Sequence, residues 1–140
     1  MKKTFFTLAI ALVSIFTFSQ NIRKEWSGGS VVRYIDGDNA RAEWAGGSVM
    51  LYLDGNNVRK EWSGGEVVYY IDGNNIRQGW SGGTVLYYID GNNIRESWSG
   101  GKVLYYIDGN NLRKEWSGGS IAYYFEGDVT IFGILSVIGL

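Results

Sequence analysis

Apolar and polar residues alternate with a period of two through most of the chain, which is the pattern of a half-buried β-strand. Ile22 and Trp26 are separated by charged residues, and residues 31–35 form a run of β-branched and aromatic side chains, as strands prefer. The sequence contains no proline to interrupt a strand ladder. The pattern therefore predicts an all-β protein.

This pattern belongs to an 18-residue unit that occurs in six consecutive copies, at residues 21-38, 39-56, 57-74, 75-92, 93-110 and 111-128. Every copy has an Arg, a Trp, a Gly-Gly pair, a Tyr and an acidic residue followed by Gly. Self-similarity at a fixed period indicates a repeat architecture in which each unit packs against its neighbours. The six copies predict one repeat domain over residues 20-128.

Each unit has two breaks with the chemistry of tight turns, Gly28-Gly29 and Gly37-Asp38 in the first copy. Such pairs tolerate the positive φ of two-residue hairpin loops, and two such loops with two seven-residue strands fill the 18-residue period. The strand register follows from the loop length. The expected pairs are Trp26 with Val31, Lys24 with Arg33 and Ile22 with Ile35 across Gly-Gly, and Ile35 with Ala40, Tyr34 with Arg41 and Val31 with Trp44 across Gly-Asp.

In that register, rows of Trp and Ile share one face with a mixed row that contains charges, whereas rows of Arg and Tyr lie on the other. A dry core excludes unpaired charges, so we favour an extended, twisted antiparallel meander of six tandem β-hairpins with a partly wet apolar face. The alternative is a two-sheet parallel β-solenoid with 18 residues per coil, which buries Trp and Ile better. It also turns Lys24, Lys60, Glu96 and Lys114 inward, and two-residue loops are too short to cross between sheets about 10 Å apart.

Units of aromatic strand, Gly turn, Tyr-rich strand and Asp-Gly turn are similar to known tandem β-hairpin families. The segments W-S-G-G (Trp98 to Gly101) and Y-Y-I-D-G-N (Tyr105 to Asn110) carry this likeness. They resemble MORN repeats and, more loosely, the choline-binding repeats of bacterial surface proteins. The unit is shorter than a MORN repeat and lacks the paired Trp of the choline-binding consensus, so the resemblance implies a hairpin array and no ligand site.

The two ends of the chain depart from the repeat. Lys2 and Lys3, an apolar core over residues 5–18 and small residues before Gln20 predict an export signal over residues 1-19, and hence a secreted, periplasmic or cell-surface protein. Residues 129-140 are mostly apolar. We expect them to form a short helix or strand, with Asp128 as N-cap, folded over the last hairpin as the cap that a linear array requires.

Composition narrows the chemistry. The chain has 13 basic and 14 acidic residues, or 11 and 14 without Lys2 and Lys3, with both signs mixed in every copy. Nucleic acid requires a clustered basic face, so it is not an expected partner. Without Cys or His, the chain lacks thiolates and the commonest general base, and we expect no enzyme activity, catalytic residue, cofactor or metal. The oxygen-rich turn at residues 36–39 suggests calcium only superficially, since a turn chosen for its φ and ψ explains it better.

Two functions from different classes remain. The first is a structural or interaction scaffold that binds an unknown protein or cell-envelope component, or copies of itself through its outer strand edges. The second, ranked lower because aromatic rows more often pack than bind, is a glycan-binding module in which rows of Trp and Tyr are platforms for sugar rings. The candidate ligand-contact residues are Trp44, Trp62, Trp80, Trp98, Tyr70, Tyr88, Tyr106, Arg59, Arg77 and Arg95.

Overall fold

The structure, a computed structural model, describes residues 19–138. The strands are β1 (Ser19–Lys24), β2 (Val31–Asp36), β3 (Asn39–Ala42), β4 (Val49–Asp54), β5 (Asn57–Lys60), β6 (Val67–Asp72), β7 (Asn75–Gln78), β8 (Val85–Asp90), β9 (Asn93–Glu96), β10 (Val103–Asp108), β11 (Asn111–Lys114) and β12 (Ile121–Phe125). They are followed by helix α1 (Ile131–Ile138). Within residues 19–138, no helix is long and apolar enough to cross a membrane.

The strands form a closed antiparallel barrel in which each pairs with its neighbours in sequence and β1 pairs with β12. The predicted antiparallel pairing of consecutive strands is confirmed, whereas the extended meander and the parallel solenoid are both wrong. Each copy contains a register shift, such as the one between Val58 and Arg59, and bulges of this kind increase the twist and bend of a sheet. Closure gives every described strand two partners, so the edge-to-edge self-association expected from the sequence has no free strand edge to use.

The register across the Asp-Gly turns is as predicted. Ile35 lies opposite Ala40 and Tyr34 opposite Arg41. Gly37 has a φ of 61° and its turn partner Asp38 does not have a positive φ, which is the conformation of a type II′ hairpin turn.

The register across the Gly-Gly segments is wrong. Ile22 lies opposite Arg33, and Ile35 faces Gln20 instead. The connection between β1 and β2 is a six-residue loop over residues 25–30, so Trp26 lies in the loop rather than opposite Val31. Trp44 likewise falls after the end of β3 and does not pair with Val31. A strand of four residues, a loop of six, a strand of six and a turn of two also fill the period, as in β5 and β6.

The core lies inside the barrel. The short strands and β1 contribute one row of fully buried side chains to this core, namely Ile22, Ala40, Val58, Ile76, Ile94 and Leu112. Ile35 and Phe125, on the longer strands β2 and β12, are also buried there. A barrel of twelve strands is wider than side chains alone can fill. The remaining space is occupied by α1, whose residues 132–137 are all buried.

The helix is therefore a central plug and not a cap on the last hairpin. Burial on all sides requires that the barrel surrounds it, and a Cβ on Gly133 would press against Phe125 of β12 and Ile22 of β1. Its N-cap is Thr130, whose Oγ1 accepts a hydrogen bond of 3.0 Å from the Gly133 N–H. The prediction of Asp128 as the N-cap is wrong.

The junction of β1 and β12, which we call the seam, is closed by side chains. The Gln20 side chain is 5% exposed; its Nε2 donates to the Asp128 carbonyl at 2.9 Å and its Oε1 accepts from the Gly127 N–H at 2.7 Å. Arg23 Nε lies 2.7 Å from Glu126 Oε2. The predicted export signal over residues 1-19 lies outside the described residues except for Ser19, which begins β1 and pairs with Asp36.

Candidate functional site

All six tryptophans of the chain lie at one end of the barrel, which we call the mouth. Each belongs to the six-residue loop of its copy, and these loops share one end because strands of a meander alternate in direction. The side chains are 62–66% exposed and form what we call the Trp crown, consisting of Trp26, Trp44, Trp62, Trp80, Trp98 and Trp116. The Asp-Gly turns lie at the opposite end.

Two tight turns and two glycines hold each indole in place. In the third copy, the Trp62 N–H donates to the Lys60 carbonyl and the Gly65 N–H donates to the Trp62 carbonyl, both at 2.8 Å. A Cβ on Gly64 would overlap the Trp62 ring, and one on Gly65 would overlap the Lys60 carbonyl. The Gly-Gly pair is therefore required by close approach of the ring and the backbone, and neither of these glycines has a positive φ.

The residue before each Trp has a left-handed backbone. This position has a φ of 66–76° in all six copies and is occupied by Glu25, Glu43, Glu61, Gly79, Ser97 and Glu115. For a residue other than glycine, this conformation costs on the order of 1–2 kcal/mol. Since Gly79 shows that glycine fits the turn, the side chains in the other copies are not needed for its geometry. Four of these residues are Glu and one is Ser, so a polar residue directly precedes the Trp in five copies.

The predicted arginines support the loops from the outer wall. Arg59 Nε lies 2.9 Å from Asp54 Oδ2, and its Nη1 donates to the Gly65 carbonyl at 2.9 Å. Arg77 and Arg95 make the equivalent two contacts in their own copies. Each guanidinium therefore links an Asp-Gly turn to the Gly-Gly end of a Trp loop.

The predicted site residues do not form one cluster. Tyr70 pairs with Arg77 and Tyr88 pairs with Arg95 along the strands, and Tyr106 has the same position beside Arg113. These pairs lie on the outer wall, whereas Trp44, Trp62, Trp80 and Trp98 lie at the mouth.

Inside the crown, a second ring of side chains surrounds the end of α1. This inner ring has two sets of members. On the longer strands they are Arg33, Leu51, Tyr69, Tyr87, Tyr105 and Tyr123, and their partners on the neighbouring strands are Ala42, Lys60, Gln78, Glu96, Lys114 and Lys24. Sequence reasoning identified these residues as a mixed row but did not assign them to a site. The sequence signal for such a site was the alternation of charged residues with Tyr in this row, because charged side chains beside aromatic ones suit a solvated rim better than a core.

The inner ring is partly desolvated. Burial raises the pKa of Tyr69, Tyr87 and Tyr123 above its ordinary value, so these hydroxyls stay protonated as hydrogen-bonding groups. Burial also lowers the pKa of Arg33, whose Nε donates to the Ser136 carbonyl at 3.0 Å. The Tyr123 hydroxyl donates to the Val137 carbonyl at 3.3 Å. The C-terminal end of α1 therefore points towards the mouth.

Clefts open between the inner ring and the Trp loops. The seam cleft, of about 690 Å³, is lined by residues that include Lys24, Trp26, Tyr105, Lys114 and Tyr123. Two others, of about 250 and 230 Å³, lie beside Ile138 and Leu135 of α1. In residues 19–138, no group of three or more His, Cys, Asp or Glu is placed to hold a metal ion. The mouth offers aromatic faces, hydroxyls and charges of both signs, which suit non-covalent binding.

Comparison with known proteins places the chain in a family without adding an activity. No curated protein and no solved structure matches it. The model of a family described as "6-fold beta flower protein" matches residues 41–137, which is more than half of the chain. This match and the barrel confirm a tandem β-hairpin repeat protein, but they do not confirm the MORN-like resemblance. The chain belongs to the 6-fold beta flower protein family.

Proposed function

We propose that this protein is an exported, non-enzymatic glycan-binding module whose Trp crown provides six similar sites. The export component rests on the sequence pattern of residues 1-19. The binding component rests on the exposure of the indoles, of which 62–66% is open to solvent. From the sequence alone, the glycan-binding hypothesis ranks below the scaffold hypothesis, because rows of aromatic residues usually pack inside a protein. The Trp side chains of the crown do not pack into the barrel core, so packing is not a reason to rank the glycan-binding hypothesis lower.

The crown site of the third copy has the chemistry of a single sugar subsite. One face of the Trp62 ring lies against Gly64, which leaves the other face for the apolar C–H face of a pyranose. Glu61, the left-handed residue before it, supplies a carboxylate that accepts hydrogen bonds from sugar hydroxyls. Ser63 follows the Trp in sequence and adds a donor. A flat apolar platform with polar groups at its rim complements a sugar ring on both counts.

The same features disfavour other partners for the crown. Each indole stands on its own loop, and four of the six are preceded by Glu. The core of a protein interface is depleted of charged residues, and carboxylates oppose binding to anionic membrane surfaces. A polymer of repeating sugar units matches six separate aromatic platforms better than a protein partner or an anionic membrane surface does.

Six weak sites act together on a polymer. Loops separated by two strands are about 9.6 Å apart at the barrel wall, and a single site with a dissociation constant near 1 mM provides only about 4 kcal/mol. Simultaneous engagement of two or three sites raises the apparent affinity by about 10²-fold or more. We therefore expect binding to polysaccharides and weak binding to monosaccharides.

Fluorescence provides a direct test, because the six tryptophans of the chain are the six crown residues. Titration with polysaccharides should change the emission, and retention on an insoluble polysaccharide should fall by about tenfold or more in the Trp62→Ala, Trp80→Ala double variant as avidity is lost. Asn74→Ala, in a turn at the opposite end, is the control and should bind as the wild type does. Unchanged retention of the double variant would remove the proposal.

The scaffold remains the second candidate, supported by the contact between each indole and its glycine. It predicts that the same double variant mainly lowers the melting temperature. The glycan proposal predicts a change in the free energy of unfolding within about 0.5 kcal/mol per site, as for exposed positions. Measuring both retention and melting temperature on one sample separates the two functions.

A further inference from the structure

The seam cleft is larger than the other two clefts described at the mouth and has a different set of charges. At about 690 Å³, it falls within the range of about 300–1,000 Å³ that is typical of ligand pockets. The other two clefts described above are about 250 and 230 Å³. The seam cleft lies where the sixth copy meets the first, with Trp26 of the crown on its wall.

Two lysines occupy neighbouring inner-ring positions at this cleft. Going around the barrel, the shorter strands and β1 place Lys24, Ala42, Lys60, Gln78, Glu96 and Lys114 at equivalent positions. Lys114 and Lys24 are the one adjacent pair of like charge in this set. Both line the cleft, and each pairs along its strand with a tyrosine, Tyr105 and Tyr123 respectively.

The charge of these lysines is not neutralised by an ion pair within residues 19–138. The salt bridges there are all made by arginines. Arg113, which also lines the cleft, is committed to Asp108 and to the Gly119 carbonyl. Glu25 contributes one carboxylate to the lining. Two ammonium groups and one carboxylate leave an excess positive charge in the lining, and an anion in the cleft would be attracted to it.

We propose that the seam cleft binds the uronate residue of an anionic glycan. Lys24 and Lys114 hold the sugar carboxylate from two sides, as rotatable point charges suited to an anion whose approach is not fixed. Trp26 stacks on the ring, and the Glu25 carboxylate accepts from its hydroxyls. This inference rests on the proposed function and adds to it a substrate class and the subsite that selects it.

The test compares a charged ligand with its neutral counterpart. Oligogalacturonate and its fully methyl-esterified form share the sugar backbone and differ in charge, and alginate oligosaccharide is a second uronate probe. Titrations followed by Trp fluorescence should show that the acid binds about tenfold tighter than the ester. Raising the salt from about 50 mM to about 500 mM should remove most of this preference, since screening acts on charge alone.

A matched pair of variants locates the effect. Lys24→Gln with Lys114→Gln should abolish the preference for the acid, so that the acid and the ester bind this variant with similar affinity. Lys60→Gln with Lys102→Gln removes the same charge from exposed lysines that do not line the seam cleft and should keep the preference within about twofold. Equal affinity of acid and ester for the wild type, with both uronate probes, would overturn the uronate subsite while leaving glycan binding intact. Equal loss in the two double variants would also overturn it, as would no binding of either form, and the polysaccharide retention test decides the proposed function separately.

Discussion

Arg33 occupies a position that holds Leu or Tyr in the other five copies, and the helix explains the difference. Its guanidinium donates to the Ser136 carbonyl at 3.0 Å, where the helix dipole and the unpaired carbonyls favour a cation. Glu126 is a second departure, since the other copies have Asp, and its longer side chain reaches Asn21 and Arg23 across the seam. Both of these departures make contacts that occur once in the described chain.

Replacing Arg33 by Leu, the residue of the second copy, should destabilise the protein by about 1–2 kcal/mol because the helix end loses its cation. Urea unfolding followed by circular dichroism measures this loss, since the exposed indoles report poorly on the core. Tyr123→Phe, which removes the longer 3.3 Å bond to Val137, is the matched control and should cost less than about 1 kcal/mol. An Arg33→Leu variant as stable as the wild type would contradict the capping role.

The two glycines of a Trp loop should respond differently to alanine. In Gly65→Ala the new Cβ meets the fixed backbone carbonyl of Lys60, and we expect a loss of at least about 2 kcal/mol. In Gly64→Ala the Cβ meets the indole of Trp62, which can rotate away, so stability should change by less than about 1 kcal/mol. Thermal unfolding ranks the two variants, and similar losses in both would show that the ring is as constrained as the backbone.

At the scale of elements, α1 turns a hollow ring into a packed domain. Six consecutive buried residues, 132–137, fill the centre of the barrel, and Ile138 at the end of α1 lines a cleft at the mouth. The helix therefore contributes both to the core and to the floor of the candidate site.

Ile134→Ala, at a side chain that is 2% exposed, should create a cavity at the barrel centre and cost about 3 kcal/mol. The control is Ile138→Ala, which removes a half-buried side chain at the helix end and should cost closer to about 1 kcal/mol. Denaturant midpoints for the two variants give the comparison. If Ile138→Ala were the more damaging, the helix would be anchored at the mouth rather than in the lumen.

The period-two pattern was sufficient for the strands and for the Asp-Gly turns, but not for the Trp loops. A Trp placed four residues after Ile fits a continuing strand as well as it fits a loop, and the unit length allows both divisions of 18 residues. The decisive contact is the approach of Gly65 to the Lys60 carbonyl, a feature that hydrophobic periodicity does not encode. The tryptophans were thus among the predicted contact residues but were placed in strands rather than in exposed loops, and the inner ring of Tyr and Lys was not assigned to a site.

At the scale of the whole molecule, the barrel is closed by hydrogen bonds where the chain has no turn. Gln20 bonds to the backbone of residues 127 and 128, and Glu126 to Arg23. Closure was not predictable from the repeat, because an open sheet satisfies the same local pattern. The available signals were the departures at Arg33 and Glu126 and an apolar tail of the right size for a lumen.

Acid should weaken the seam. The hydrogen bond from Arg23 lowers the pKa of Glu126 below its ordinary 4.5, so its ionised form stabilises the folded state above that value and this contribution is lost as the pH falls through the lowered pKa. Glu126→Gln should therefore have a lower melting temperature than the wild type at pH 7, with the difference vanishing in acid. For two partly exposed partners we expect less than about 1 kcal/mol.

The comparison for this pair is Asp72→Asn, which alters an equivalent bond to Arg77 within one covalent hairpin. Because the turn already joins those strands, its loss should matter less than the loss of Glu126 at the seam. A pH-independent difference between Glu126→Gln and the wild type would contradict the role assigned to the carboxylate.

The plugged ring also constrains how such a gene can change. Tandem genes commonly lengthen or shorten by whole units through unequal recombination, and an open array tolerates each step because it only grows or shrinks at one end. Here an extra unit would make the lumen wider than one helix can fill, and the loss of a unit would make the lumen too narrow for the helix. The number six is thus a property of the fold itself, set by the diameter of α1.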